Sequence, residues 1–211
     1  MHPMKIAVID HGYANIGSLT NALNCIGLDS HVISNYVDYS EQLSFSGFIL
    51  PGVGSFGPAM RSLRQKKLDI VVQQLIDNRC RGMGICLGMQ MLCASSEEDQ
   101  FNEPGLKYFS GSISKLPIEK AKVPHIGWSQ TRCDAGNSQL TELLNGIFYY
   151  IHSYAYNSTL KSSDVVASFS HGEVGATAAI YQDNLLGVQF HPEKSQGPGL
   201  ALLKNYFTQT L

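Results

Sequence analysis

The sequence predicts an α/β protein of three layers, a mostly parallel central sheet with helices on both faces, with antiparallel strands added in the C-terminal half. Two observations carry that prediction. The first half alternates apolar strand-like runs with amphipathic helix-like segments, and from Tyr108 onward the texture changes to short runs separated by turn residues. With 211 residues, 44% of them hydrophobic and 15% charged, the chain can bury one substantial core, so a single domain over residues 1–211 is expected.

In order, KIAVID (5–10) is an apolar run closed by a polar turn, and NIGSLTNALNCIG (15–27) puts Ile16, Leu19, Leu23 and Ile26 on one helical face. HVIS (31–34) and FILP (48–51) read as two further strands. Residues 68–79 carry Leu68, Val71, Val72, Leu75 and Ile76 at helical spacing, and GMGIC (82–86) returns as a strand. Near-continuous apolar runs of this kind belong to strands buried on both faces. KYFSGSISKL (107–116), VPHIGWSQTRC (123–133), GIFYYIHSYAY (146–156), DVVASFSHG (164–172) and TAAIYQDNLLGVQF (177–190) read as strands and hairpins, several antiparallel, before a helix at about 197–209.

A formal net charge of −2 offers nucleic acid no basic surface, and no apolar stretch approaches the roughly 20 residues that span a bilayer, so a cytoplasmic protein without nucleic-acid or membrane partners is expected. The five cysteines form no C-x-x-C pair, which reads as reduced thiols. Cys93 and Cys25 read as small buried hydrophobes; Cys80 and Cys133 fall in loop-like contexts. His2, His11, His31, His125, His152 and His171 are scattered singly, with no H-E-x-x-H pattern, and no metal is expected.

GMGICLGMQ (82–90) sets Cys86 between Gly84 and Gly88 where a strand runs into a helix, the arrangement of a nucleophile elbow. Side chains at either glycine would collide in so tight a turn. A thiol at a helix start is favoured as thiolate, and the N–H groups that follow point at a developing oxyanion. The competing reading is a core cysteine in a glycine-rich turn. QFHPEKS (189–195) supplies the second signal. In an extended segment His191 and Glu193 project to one face, Pro192 biases His191 towards that conformation, and a carboxylate can then orient the imidazole. Cysteine, histidine and carboxylate together make a convergent triad; a surface histidine beside a solvated glutamate is the alternative. PGVGSFG (51–57) matches the dinucleotide fingerprint G-x-G-x-x-G. It does not belong to the first βα unit, however, and no acidic residue follows about 20 positions on. A glycine loop at the end of a strand parallel to that of Cys86 suits an oxyanion hole better.

LPGVGSFGPAM, GICLGMQ, VPHIGWSQ, IHSYAY and GVQFHPEKS together resemble the class I (triad) glutamine amidotransferases, over essentially the whole chain, and within them the glutaminase subunits of imidazole glycerol phosphate synthase (HisH type). The resemblance implies a flavodoxin-like fold, hydrolysis of L-glutamine to glutamate and ammonia through a cysteine thioester, and no cofactor. Cys86 is then the nucleophile, His191 the acid and base, and Glu193 its orienter. The N–H of Leu87 and one from the loop Gly52, Val53, Gly54 form the oxyanion hole; Gly52, Gln90, Ser153 and Tyr154 bind glutamine. Trp128 and Lys194 match positions that face a partner, a separate (β/α)8 cyclase (HisF-like) forming a heterodimer and receiving the ammonia for histidine biosynthesis. GWSQ departs from the asparagine of the family after Trp128, and DHGYANIGSL from its glycine-rich loop. Other readings stay open: a paralogue feeding a different synthase, such as one forming acetamidino sugars, a stand-alone cysteine hydrolase, and an idle subunit that keeps the fold.

Overall fold

A computed structural model describes residues 5–40, 44–133, 138–157 and 165–209. Four of the five strands of the parallel part of the main sheet come first in the chain. Strand β1 (Lys5–Ile9) leads into helix α1 (Ile16–Cys25), whose start is capped by the Asn15 side chain accepting from the Ser18 N–H. Strand β2 (Asp29–Ile33), strand β3 (Gly47–Leu50), helices α2 (Phe56–Gln65) and α3 (Leu68–Asp77), strand β4 (Arg81–Ile85) and helix α4 (Leu87–Leu92) follow.

The second half adds β5 (Ser95–Ser96), β6 (Ser112–Lys115), β7 (His125–Cys133), α5 (Ser138–Leu144), β8 (Gly146–His152), β9 (Tyr154–Asn157), β10 (Val165–His171), β11 (Val174–Gln182), β12 (Leu185–Val188) and α6 (Gln196–Thr208). The nine-stranded sheet runs β2-β1-β3-β4-β12-β11-β10-β7-β8, and β5-β6-β9 form a second, three-stranded sheet. Pairing is parallel from β2 through β12 and antiparallel from β12 to β8, so the change of texture at Tyr108 marks the added antiparallel wing.

Alternation along the strands divides the core. Ile6 and Val8 join Leu19, Leu23, Leu144 and Leu203, from α1, α5 and α6, on one face. Ala7 and Ile9 join Met60, Leu63, Val72 and Met89, from α2, α3 and α4, on the other. In β4 the alternation is between glycine and bulk: Met83 and Ile85 enter the first cluster, while a Cβ on Gly84 would lie 2.8 Å from the Met89 backbone. The strand thereby lets α4 lie directly against the sheet.

The structure corrects several expectations. GIFYYIHSYAY is not one stretch of sheet: the chain breaks at Ser153, leaving β8 at the edge of the large sheet and β9 in the small one. Cys25 is exposed, because it ends α1 beside the apolar stripe rather than within it, and Cys133 is buried at the end of β7 rather than in a loop. Cys93 is buried as expected. His2 lies outside the described residues. His125, His152 and His171 are not scattered but meet between β7, β8 and β10.

Candidate active site

Cys86 sits between β4 and α4 with φ 52° and ψ −109°, a positive-φ conformation that is costly for a residue with a side chain. Packing from all sides enforces it. A Cβ on Gly88 would stand 1.7 Å from the Leu50 carbonyl oxygen, and one on Gly52 would stand 2.9 Å from the Gly88 nitrogen. The turn is therefore pressed against the end of the neighbouring parallel strand β3, and the Cys86 N–H is fixed on the Val188 carbonyl of β12 at 2.8 Å.

His191 follows β12, the other parallel neighbour of β4, and is 1% exposed. It is extended, at φ −104° and ψ 96°, but Pro192–Lys194 form a 3-10 turn. Glu193 thus reaches His191 by the curl of that turn and not by strand alternation. The Glu193 Oε1 and His191 Nδ1 are 2.7 Å apart and both side chains are buried. The geometry makes Nδ1 the donor, leaving Nε2 buried with no hydrogen bond among the described residues. Burial works against charge on His191; interaction with the Cys86 sulfur and then with the Glu193 carboxylate outweighs it and pushes the imidazole up to about 10.

A pocket of about 400 Å³ opens over Cys86, lined among others by Val53, Gly54, Leu87, Gln90, Ser153, Tyr154 and Lys194. His191 and Glu193 stand behind the cysteine, outside that lining. Gln90, one helical turn beyond Cys86, donates from Nε2 to the Tyr154 carbonyl at 3.1 Å. Two residues of the site escaped the sequence reading. Glu98 accepts from the Phe56 N–H at 2.8 Å with Oε2 and sets a carboxylate at the pocket, its signal hidden in the acidic run SSEED. Gln189 is fully buried and donates from Nε2 to Cys86 Sγ at 3.5 Å. Its signal was its spacing, two residues before His191.

The peptide groups of the glycine loop engage both the start of α4 and the loop after β1. The Leu87 N–H donates to the Gly52 carbonyl at 3.3 Å, and the Val53 N–H donates to the Tyr13 carbonyl at 2.8 Å. Gly54, beside them, has φ 98°. His11, buried in the loop after β1, shares its Nε2 with the Pro51 carbonyl at 2.8 Å and so helps hold this loop pair together.

Trp128 is 47% exposed on β7, edge-on to Tyr149 of β8 with ring centroids 5.8 Å apart. It belongs to a row, for Ile126, Ile147 and Ile151 are exposed on the same two paired strands. Ile151 and Lys194 tie that row to the pocket.

Two of the three clustered histidines, His125 and His152, hold the base of the segment that lines the pocket. His152 Nδ1 donates to the Tyr154 carbonyl at 2.8 Å, so its Nε2 accepts from His125 Nδ1 at 3.2 Å, and His125 Nε2 accepts from the Ser129 hydroxyl at 2.9 Å. Ser129 is thus the terminal donor of this chain. Burial, together with charge on neighbouring histidines, lowers His125 to about 4 and His152 to about 3. Among the described residues no group of three or more His, Cys, Asp or Glu side chains is arranged to hold a metal ion, and no helix is long and apolar enough to cross a membrane.

The family model "Glutamine amidotransferase class-I" matches residues 7–210. Among curated proteins, the imidazole glycerol phosphate synthase subunit HisH of Listeria innocua is 38% identical over 95% of this chain and 94% of its own. That of Thermosynechococcus vestitus is 38% identical over 98% and 97%. Among solved structures, PurLQS of Thermotoga maritima superposes with a TM-score of 0.73 at 18% identity, covering 98% of this chain and all of that one. A GMP synthase component from Thermoplasma acidophilum gives 0.70 at 21% identity, with 98% and 94% covered. At such identities these two speak for the fold.

Proposed function

The chain belongs to the class I glutamine amidotransferases, as a glutaminase subunit of the imidazole glycerol phosphate synthase type, and from that footing we propose how its residues carry the reaction. Cys86 Sγ attacks the side-chain amide carbon of L-glutamine, forming a C–S bond. The His191 imidazolium gives its proton to the amide nitrogen as the C–N bond breaks, and ammonia leaves. His191, now neutral, takes a proton from water, whose oxygen adds to the thioester carbon. The C–S bond breaks, releasing glutamate and restoring the thiolate and imidazolium pair. Glu193 keeps His191 Nδ1 as donor so that Nε2 faces the sulfur. The observation that carries this reading is the 2.7 Å contact of Glu193 with a buried His191 behind a strained Cys86 at the floor of a pocket.

Gln90 and the Ser153–Tyr154 backbone take the amino-acid end of glutamine, and the Glu98 carboxylate meets its ammonium group. The oxyanion is held by the Leu87 N–H and by one from Val53 or Gly54, which requires the Gly52–Gly54 loop to turn and release the Gly52 and Tyr13 carbonyls. The trigger is docking of a (β/α)8 cyclase on the face carrying Ile126, Trp128, Ile151 and Lys194, in a cytoplasmic heterodimer. Ammonia is largely protonated in neutral water, and a docked acceptor that covers the pocket keeps it reactive. The whole chain works as one domain, without a cofactor.

The test is ammonia release from glutamine by the purified chain, alone and with a histidine-pathway cyclase carrying its ribonucleotide ligand. Strong stimulation by the loaded cyclase, abolished by Cys86→Ala or His191→Ala, is the expected result. Wild-type release by either variant would refute the triad. An unstimulated chain whose Cys86 still reacts with a glutamine-mimicking electrophile would point to a different synthase.

A further inference from the structure

The side chain of Gln189 touches the reacting sulfur, and its polarity is fixed by a chain of contacts that leaves it one orientation. A backbone carbonyl only accepts, so the Gln90 atom 3.1 Å from the Tyr154 carbonyl is Nε2. The same Nε2 is 3.1 Å from the Gln189 amide, and having only hydrogens to offer it must meet Oε1. The remaining end of the Gln189 amide, 3.5 Å from Cys86 Sγ, is therefore the NH₂. That distance is within the reach of the large sulfur atom. The arm is rigid: Gln189 is fully buried, its backbone N–H is fixed on the Ala178 carbonyl at 2.8 Å, and Gln90 is 5% exposed. Gln189 and His191 alternate with Phe190, which stacks on Phe148 in the core with centroids 4.0 Å apart, so both polar side chains turn to the cysteine.

We infer that Gln189 is a further catalytic residue, a neutral donor that holds the Cys86 sulfur as thiolate and fixes its position, with Gln90 and the Tyr154 carbonyl setting its polarity. The inference rests on Cys86 being the nucleophile. A thiol is a weak acceptor and a thiolate a strong one, so a donor in a dry site favours the ionised form. The arm also joins the sulfur to the pocket, because Gln90 lines it.

Gln189→Met keeps length and bulk but has no donor; Gln189→Glu keeps shape and puts an acceptor against the sulfur. The rate of Cys86 alkylation by iodoacetamide is measured against pH by mass spectrometry, beside kcat and KM for glutamine and the thermal midpoint. A hydrogen bond to a charged group is worth a factor of about 10 to 100, so in Gln189→Met the alkylation midpoint is expected to move up by about 1 to 2 pH units, with kcat falling by a similar factor and KM little changed. Gln189→Glu is expected to move it at least as far, since a carboxylate there repels the thiolate. If Gln189→Met unfolds, the Gln189→Glu profile decides. An alkylation midpoint like that of the wild type in a folded variant would overturn the inference while leaving the triad standing. Glutaminase activity surviving in Cys86→Ala would instead remove the reading beneath it.

Discussion

The N–H of Val53 lies 2.8 Å from the carbonyl oxygen of Tyr13, so the loop over Cys86 is tied to the loop that follows the first strand. Beside that tie Gly54 holds φ 98°, a conformation that costs a side-chain-bearing residue about 1–2 kcal/mol. Gly54→Ala is expected to lower Tm by roughly 2–8 °C and to depress cyclase-stimulated ammonia release more than cysteine alkylation, because the loop and not the nucleophile is affected. Calorimetry with the two assays checks it; an unchanged Tm would show that the loop relaxes without cost.

Two glycines with opposite surroundings should answer the same substitution in opposite ways. Gly88→Ala drives a methyl to 1.7 Å from the Leu50 carbonyl, a backbone atom that cannot swing aside, and should cost at least about 3 kcal/mol. Gly17 is exposed in α1, and a methyl group there would meet no atom within 4 Å, so its replacement by alanine should gain about 0.5–1 kcal/mol from reduced chain entropy. Urea unfolding of both variants measures the pair.

His125 and His152 are neutral in the folded protein, with pKa values lowered by burial to about 4 and about 3 from an ordinary 6.5. The unfolded chain takes up protons first, so the stability they allow is complete above pH 6.5 and declines as pH falls from there towards those values. Urea midpoints should already drop between pH 6.5 and 5, above the range of ordinary carboxylates. His125→Asn is expected to flatten this part of the profile. A wild-type midpoint constant over that window would contradict the neutral pair.

Ile126 and Trp128 are 58% and 47% exposed on β7, beside the edge strand β8. Trp128→Ala and Ile126→Lys should each weaken the complex with a cyclase by about tenfold or more, as buried anchors of an interface do, while shifting Tm by no more than about 1–2 °C. Titration calorimetry and thermal melts separate the two effects. Undiminished affinity in both variants would move the docking face elsewhere.

The parallel half of the fold was legible because strands buried on both faces announce themselves as apolar runs, and β1, β3 and β4 do. The elbow was legible for a related reason: Gly84 and Gly88 mark contacts where no side chain fits. What stayed hidden depends on partners far along the chain. Nothing local in HSY says that Ser153 passes the chain from one sheet to another, and three isolated histidines cannot reveal that register brings them together. Glu193 meets His191, but through a 3-10 turn that Pro192 begins, so the strand argument reached the right pair by the wrong geometry. The loop Gly52–Gly54 was placed correctly beside Cys86, while the direction of its peptide groups, set by Tyr13, has no counterpart in sequence pattern.

Strand β12 reaches the side of β4 only after the whole antiparallel wing has been laid down, and this gives the protein a timetable. Cys86 leaves the ribosome about a hundred residues ahead of His191, an interval of some 5–20 s at ordinary rates of synthesis. Throughout that interval β4 lacks one neighbour and Cys86 lacks the histidine that follows it. The nascent chain therefore carries Cys86 before the strand that sets Gln189 and His191 beside it, and those two side chains arrive together with the last strand of the sheet.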